Sequence, residues 1–223
     1  MLEGLFDADR WSTTFQNMGP FWEGFGVTLQ VVVAGLLLSL VLGTLLGALL
    51  AALTFACPWA DLLFSPVIRM IRAVPVVSFI ILALVWVNSR SLSVLISGLM
   101  VFPAVYGNVL TGIGQADRQL LEMARVFRVP PGRQAVGIYL PAVLPYFRSA
   151  CALGLGLCWK AGIAAEVIGL PGGSLGERLY TAKVYFQTAD LFAWTAVIVA
   201  ASVVFEKLFL RAVDALTGKV GGL

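Results

Sequence analysis

Residues 24–60 read GFGVTLQVVVAGLLLSLVLGTLLGALLAALTFACPWA, 37 consecutive positions without a charged side chain. About 20 apolar residues in helical form suffice to cross the hydrocarbon core of a bilayer. The stretch therefore predicts a membrane-spanning helix within residues 25–55, ended by Cys57-Pro58, with Gly43 and Gly47 as a small-xxx-small face on which a second helix packs closely. The residues before it are acidic and polar (Glu3, Asp7, Asp9), which does not suit a cleavable signal sequence, so the mature chain is expected to begin at its own amino terminus.

The rest of the chain has the same character. Of 223 residues, 60% are hydrophobic and 12% charged, against roughly 45–50% apolar and about 25% charged in soluble domains. Residues 1–223 are expected to form one all-α membrane domain, because lipid leaves a spanning backbone no partner for its polar groups outside its own helix. A second apolar unit covers residues 59–87, with Pro66 and Pro75 each inviting a kink or an unwound turn and an uninterrupted apolar run over 73–89. Further spans are expected within 91–116, kinked at Pro103, at about 141–168, and at about 190–210. The net charge of +3 is small, and no basic face suits nucleic acid. There is no histidine, and Cys57, Cys151 and Cys158 lack CxxC spacing, so metal and redox chemistry are not expected and the thiols read as buried apolar residues.

Between the third and fourth spans the character changes. Residues 117–133 run D-R-Q-L-L-E-M-A-R-V-F-R-V-P-P-G-R, an amphipathic loop helix carrying Arg118, Arg125, Arg128 and Arg133. Counting Lys and Arg in alternate loops places ten on the side of this loop (Arg69, Arg72, the four arginines above, Arg148, Lys207, Arg211 and Lys219) and four on the other (Arg10, Arg90, Arg178 and Lys183). The positive-inside rule then sets residues 117–137 and the carboxyl terminus in the cytoplasm, and residues 1–20 outside as an extracytoplasmic segment.

From Glu122 to Pro141 the loop reads E-M-A-R-V-F-R-V-P-P-G-R-Q-A-V-G-I-Y-L-P. It resembles the coupling motif of bacterial ATP-binding-cassette importer permeases, in which a Glu-Ala-Ala start, a glycine six residues after the glutamate and a terminal I-x-L-P keep fixed spacing. Glu122, Ala124, Ile138, Leu140 and Pro141 match in register, whereas Met123 replaces the second alanine, Arg128 the glycine, and Pro130-Pro131-Gly132 occupies the following turn. Over residues 25–212 the chain is most similar to the nitrate, sulfonate and taurine branch. Arg72-x-x-Pro75, Trp159-Lys160, Ala164-Ala165-Glu166, the turn at 170–176 and Leu191-Phe192-Ala193 also fit. That branch commonly has six spans, and this chain reads as its five-helix core.

The resemblance implies the type I importer permease fold, with a cytoplasmic coupling helix and ATPase-coupling roles for Glu122, Ala124, Arg125, Arg128, Gly132, Ile138, Leu140 and Pro141. It implies a small-solute path, a separate ATPase dimer that binds ATP and Mg, an extracytoplasmic binding protein or lipoprotein, and a second permease copy. No cofactor is expected on this chain, which has no GxxxxGK[ST] motif. Pro75, Ser78, Trp159, Lys160 and Glu166 are the candidate path residues. For Lys160 and Glu166 two readings stand: path lining, or structural charges paired with neighbouring helices or snorkelling to the surface. The alternative at the level of the whole protein is the transmembrane coupling component of an energy-coupling-factor vitamin transporter, whose paired Ala-Arg-Gly signatures Ala124-Arg125-Val126 only approaches. An intramembrane enzyme or a channel would need catalytic pairs or a repeated filter that the sequence does not show.

Overall fold

The structure is a computed structural model, and it describes Ser12, residues 19–56 and residues 59–220. The segment expected outside at 1–20 therefore lies almost entirely outside the described residues, as does the Cys57-Pro58 stop. The described residues are helical: α1 (Gly19–Ala56), α2 (Trp59–Ala73), α3 (Val76–Ala83), α4 (Ser89–Gly114), α5 (Arg118–Val126), the short α6 (Pro131–Gln134), a π-helical turn (Ala135–Tyr139), α7 (Leu140–Gly169), α8 (Leu175–Val184) and α9 (Thr188–Val220).

Three of these helical stretches are long and apolar enough to cross a membrane, Gly24–Leu53, Ser89–Gly114 and Pro131–Gly169, and a fourth span arises if Leu62–Ala73 and Val76–Ala83 form one broken crossing. The fifth expected span falls within the 33 residues of α9. The second departs from the expectation of an uninterrupted run over 73–89. Pro75 is the N-cap of an eight-residue α3, with φ −59 and ψ 131, and turns follow from Leu84. The cause is local, since a proline disfavours helical conformation in the residue before it and lacks the N–H that would continue the ladder. Pro66, Pro103 and Pro145, by contrast, are accommodated inside helices.

The chain divides into two compact units. One comprises Met1–Leu37, Val74–Gly98 and Gly156–Phe205, the other Leu38–Ala73, Leu99–Leu155 and Glu206–Leu223. In the first unit, small and polar residues bring α1, α4 and α7 together. Ser97 donates to the Cys158 carbonyl at 3.1 Å, and the Cys158 thiol donates to the Val32 carbonyl at 3.3 Å. Gly35 admits Ser97 so closely that a Cβ there would lie 2.8 Å from the serine Cβ. Without water to drive association, such close approach and interhelical hydrogen bonding hold spanning helices together. Cys151 and Cys158 are buried and share no disulfide, as expected of apolar thiols.

In the second unit the small-residue face of α1 meets its partner. Gly43 packs on Val105 and Gly47 on Val109, each pair separated by four residues on its own helix. Arg72 donates to the Pro103 carbonyl at 2.5 Å, and Gly107 leaves the room its guanidinium occupies. Arg148 and Asp214 form an exposed ion pair that ties α7 to α9.

Candidate functional site

The candidate coupling segment is built within the second unit by two short helices, of which α5 carries a side-chain cap. Asp117 is the N-cap of α5, and its carboxylate accepts the Gln119 N–H at 2.8 Å. An N-cap of this type satisfies an amide that has no intrahelical partner. At the other end, Val129 N–H reaches the Ala124 carbonyl at 2.9 Å and Arg128 N–H the Arg125 carbonyl at 3.2 Å. This pair of bonds is a Schellman motif, whose C′ residue adopts the left-handed conformation and is ordinarily glycine. Arg128 is that residue, with φ of +50.

The departure at Arg128 thus has a physical reading. The position where the importer motif carries glycine is a helix terminus that needs positive φ, and Arg128 keeps the turn at a conformational cost. Arg128→Gly is accordingly expected to stabilise the chain by about 1 kcal/mol, read as a rise in the thermal midpoint of the purified protein. A neutral or lowered midpoint would mean that the guanidinium makes a compensating contact.

Around this turn Ala124 is buried, at 1% exposure, while Val126 and Phe127 project at 77% and 74%. Glu122, Arg125, Arg128 and Gly132 are exposed as well, and a Cβ on Gly132 would meet nothing within 4 Å. Pro130 and Pro131 begin the next turn, which Gln134 closes by donating to the Val129 carbonyl at 2.7 Å. Ile138, Leu140 and Pro141 do not join the α5 surface. They belong to the π-helical turn and the first residues of α7, at the base of a spanning helix. The apolar tip formed by Val126 and Phe127 was missed in the sequence, although the amphipathic pattern already set both beside the loop arginines.

The second candidate group lies in the first unit. Glu166 and Thr28 are both fully buried, at 0% exposure. The Thr28 hydroxyl lies 2.9 and 2.8 Å from the two carboxylate oxygens of Glu166, and Gly176 N–H donates to Oε2 at 3.1 Å. Leu175 N–H faces the Thr28 oxygen at 3.4 Å, and Glu177 N–H donates to Ser174 Oγ at 3.1 Å. The amides of the first turn of α8 are thereby all engaged, those of Leu175 and Gly176 by residues of α1 and α7. Glu177 reaches back to the Gly173 N–H at 2.6 Å, a variant of the capping box that the run Ser174-x-x-Glu177 announces. Gly176 is required here, since any Cβ would overlap Glu166.

The other candidate path residues separate into two groups. Trp159 is buried and packs at 6.1 Å against Phe205 with the rings tilted, whereas Pro75, Ser78 and Lys160 are exposed in the same unit. Thr28, Ser174 and Gly176 escaped sequence reading, although the Ser-x-x-Glu spacing was visible.

Residues 43–221 match the family described as binding-protein-dependent transport system inner membrane component. The chain belongs to this family. Among curated members, the permease protein SsuC of Bacillus subtilis (strain 168), named for aliphatic sulfonates transport, is 32% identical over 134 residues, 60% of this chain and 48% of that protein. The taurine transport system permease protein TauC of Escherichia coli (strain K12) is 27% identical over 153 residues, 68% of this chain and 55% of its own. The nitrate import permease protein NrtB of Synechococcus elongatus is 28% identical over 148 residues, 66% of this chain and 52% of its own. The chain spans about half the length of the curated relatives it matches. A crystal structure of an amino acid ABC transporter superposes with a TM-score of 0.68 at 18% identity, covering 90% of this chain and 97% of the other. The permease therefore has the helical fold of type I importer permeases and is similar to permeases named for sulfonate, taurine and nitrate transport.

Proposed function

We propose that this permease is the transmembrane subunit of an ATP-binding-cassette importer for a small solute with an anionic head, of the sulfonate, taurine or nitrate kind. A separate ATPase drives it through residues 117–137. The observation that carries the reading is the end of α5. Arg128 adopts the left-handed turn of the family glycine at the same spacing from Glu122, and that turn leaves Val126 and Phe127 exposed. An apolar tip with an arginine rim on a short rigid helix suits insertion into a groove of a partner.

The distribution of Lys and Arg supports a cytoplasmic position for α5 and for the carboxyl end, and an outer position for the turn at 170–176. Two copies surround a central path, each coupling segment seats on one subunit of an ATPase dimer, and ATP with Mg binds only there. A binding protein or lipoprotein delivers the solute from outside. Closure of the ATPase dimer displaces both α5 helices and the bases of α7 with them, which opens the path outward, and hydrolysis resets it. Pro75, Ser78 and Lys160 border that path, while Glu166 and Trp159 support the helices around it.

The test uses the complex of permease, ATPase and binding protein in proteoliposomes. Glu122→Lys, or deletion of residues 122–132, is expected to lower solute-stimulated ATP hydrolysis and uptake by about tenfold or more, a loss typical of a disrupted interface anchor. Wild-type stimulation in both variants would remove the coupling role.

A further inference from the structure

Lys160 lies nine residues before the end of α7 at Gly169, about 14 Å along the helix axis. Measured from Gly169 as the outer edge of a hydrocarbon core about 30 Å thick, Lys160 lies inside that core. The side chain is exposed, and no described residue forms a hydrogen bond or ion pair with it. Glu166 is the only acid on α7, and it lies about 9 Å further along the axis and about 120° around it. Its carboxylate is taken up by Thr28 and Gly176. On the Lys160 face, Leu157 is exposed about one turn below and Ala164 is half-buried about one turn above, so that face supplies no counter-charge.

A bare ammonium at this depth is strongly unfavourable against lipid. The four-carbon stem of lysine does not reach across 14 Å of helix to the surface. Lys160 therefore faces a polar space, and it faces it as an uncompensated cation. We infer that Lys160 is the anion-binding point of the translocation path, its ammonium pairing with the sulfonate or nitrate-type oxyanion as the solute crosses. This rests on the importer reading above. A single compact, hydrated charge with three donors suits transient pairing, because a path must release what it binds.

The experiment has two parts, both on the reconstituted complex with its ATPase and binding protein. A water-soluble amine-acylating reagent is applied to the wild type with and without nitrate or a short alkanesulfonate, neither of which carries an amine, and modification of Lys160 is read by mass spectrometry. Uptake of the same anions is then compared for Lys160→Gln and Lys160→Arg. The expected result is labelling of Lys160 that the anion suppresses. Uptake falls by about tenfold or more in the Gln variant and is largely retained in Arg, as for a lost charge-assisted contact. An unlabelled lysine, labelling indifferent to the anion (as when an acid of the second copy pairs with it), or wild-type uptake by Lys160→Gln would each overturn the inference and leave the importer reading intact. A wild-type complex that imports only uncharged or cationic solutes overturns both the inference and the proposed solute class. A complex with no solute-stimulated hydrolysis at all removes the importer reading itself.

Discussion

Glu166→Ala is expected to lower the unfolding free energy of the purified permease by about 3–5 kcal/mol, whereas Glu166→Gln is expected to cost less than about 1 kcal/mol. Alanine leaves the Gly176 N–H and the Thr28 hydroxyl buried without an acceptor, and each such group costs about 1–3 kcal/mol. It also empties the space that a fully buried side chain fills. Glutamine keeps an oxygen where Gly176 and Thr28 donate and a donor that the Thr28 oxygen can accept. The comparison is read by thermal unfolding in detergent together with uptake in proteoliposomes. Stable, assembled Glu166→Gln that no longer transports would show that the charge itself serves the path, contrary to the supporting role assigned to it. Gly176→Ala belongs to the same prediction, because its Cβ can be placed only by pushing α8 away from α7.

The second large effect concerns the tip of α5. Val126→Asp combined with Phe127→Asp is expected to weaken association with the ATPase by more than about thirtyfold, corresponding to more than about 2 kcal/mol for loss of an apolar anchor. Both side chains are already exposed, at 77% and 74%, so the fold of the permease alone should survive the change. Co-purification of the ATPase with the variant, against an unchanged elution profile for the permease, provides the measurement. Retention of the ATPase at wild-type stoichiometry would place the contact elsewhere on the chain.

Much of this architecture was legible because membrane constraints act over short distances. The charge-free run at 24–60 announced α1, and Gly43 with Gly47 announced a packing face before Val105 and Val109 were known as its partners. The motif from Glu122 to Pro141 singled out the candidate coupling segment, but its identities did not reveal its shape. Only the positive φ of Arg128 explains why a glycine belongs there and how an arginine stands in for it. The proline at 75 announced a kink or an unwound turn, and the residue marks the end of one helix and the N-cap of the next.

The Glu166 group was the least legible. Its hydroxyl partner, Thr28, lies 138 positions away in sequence. No periodicity or spacing connects residues so far apart, so the hydrogen bonds that join α1, α7 and α8 at this carboxylate had no signature in the sequence. For Lys160 the structure argues by the opposite observation, a charge in a spanning helix that the described residues leave without a partner.

The central claim, that α5 is where a separate ATPase takes hold of this permease, is tested most directly by a photo-crosslinking residue at position 127 in the assembled complex. The account predicts a covalent adduct with the ATPase subunit, one for each permease copy. Adducts only with lipid, or only with a second permease, would contradict it.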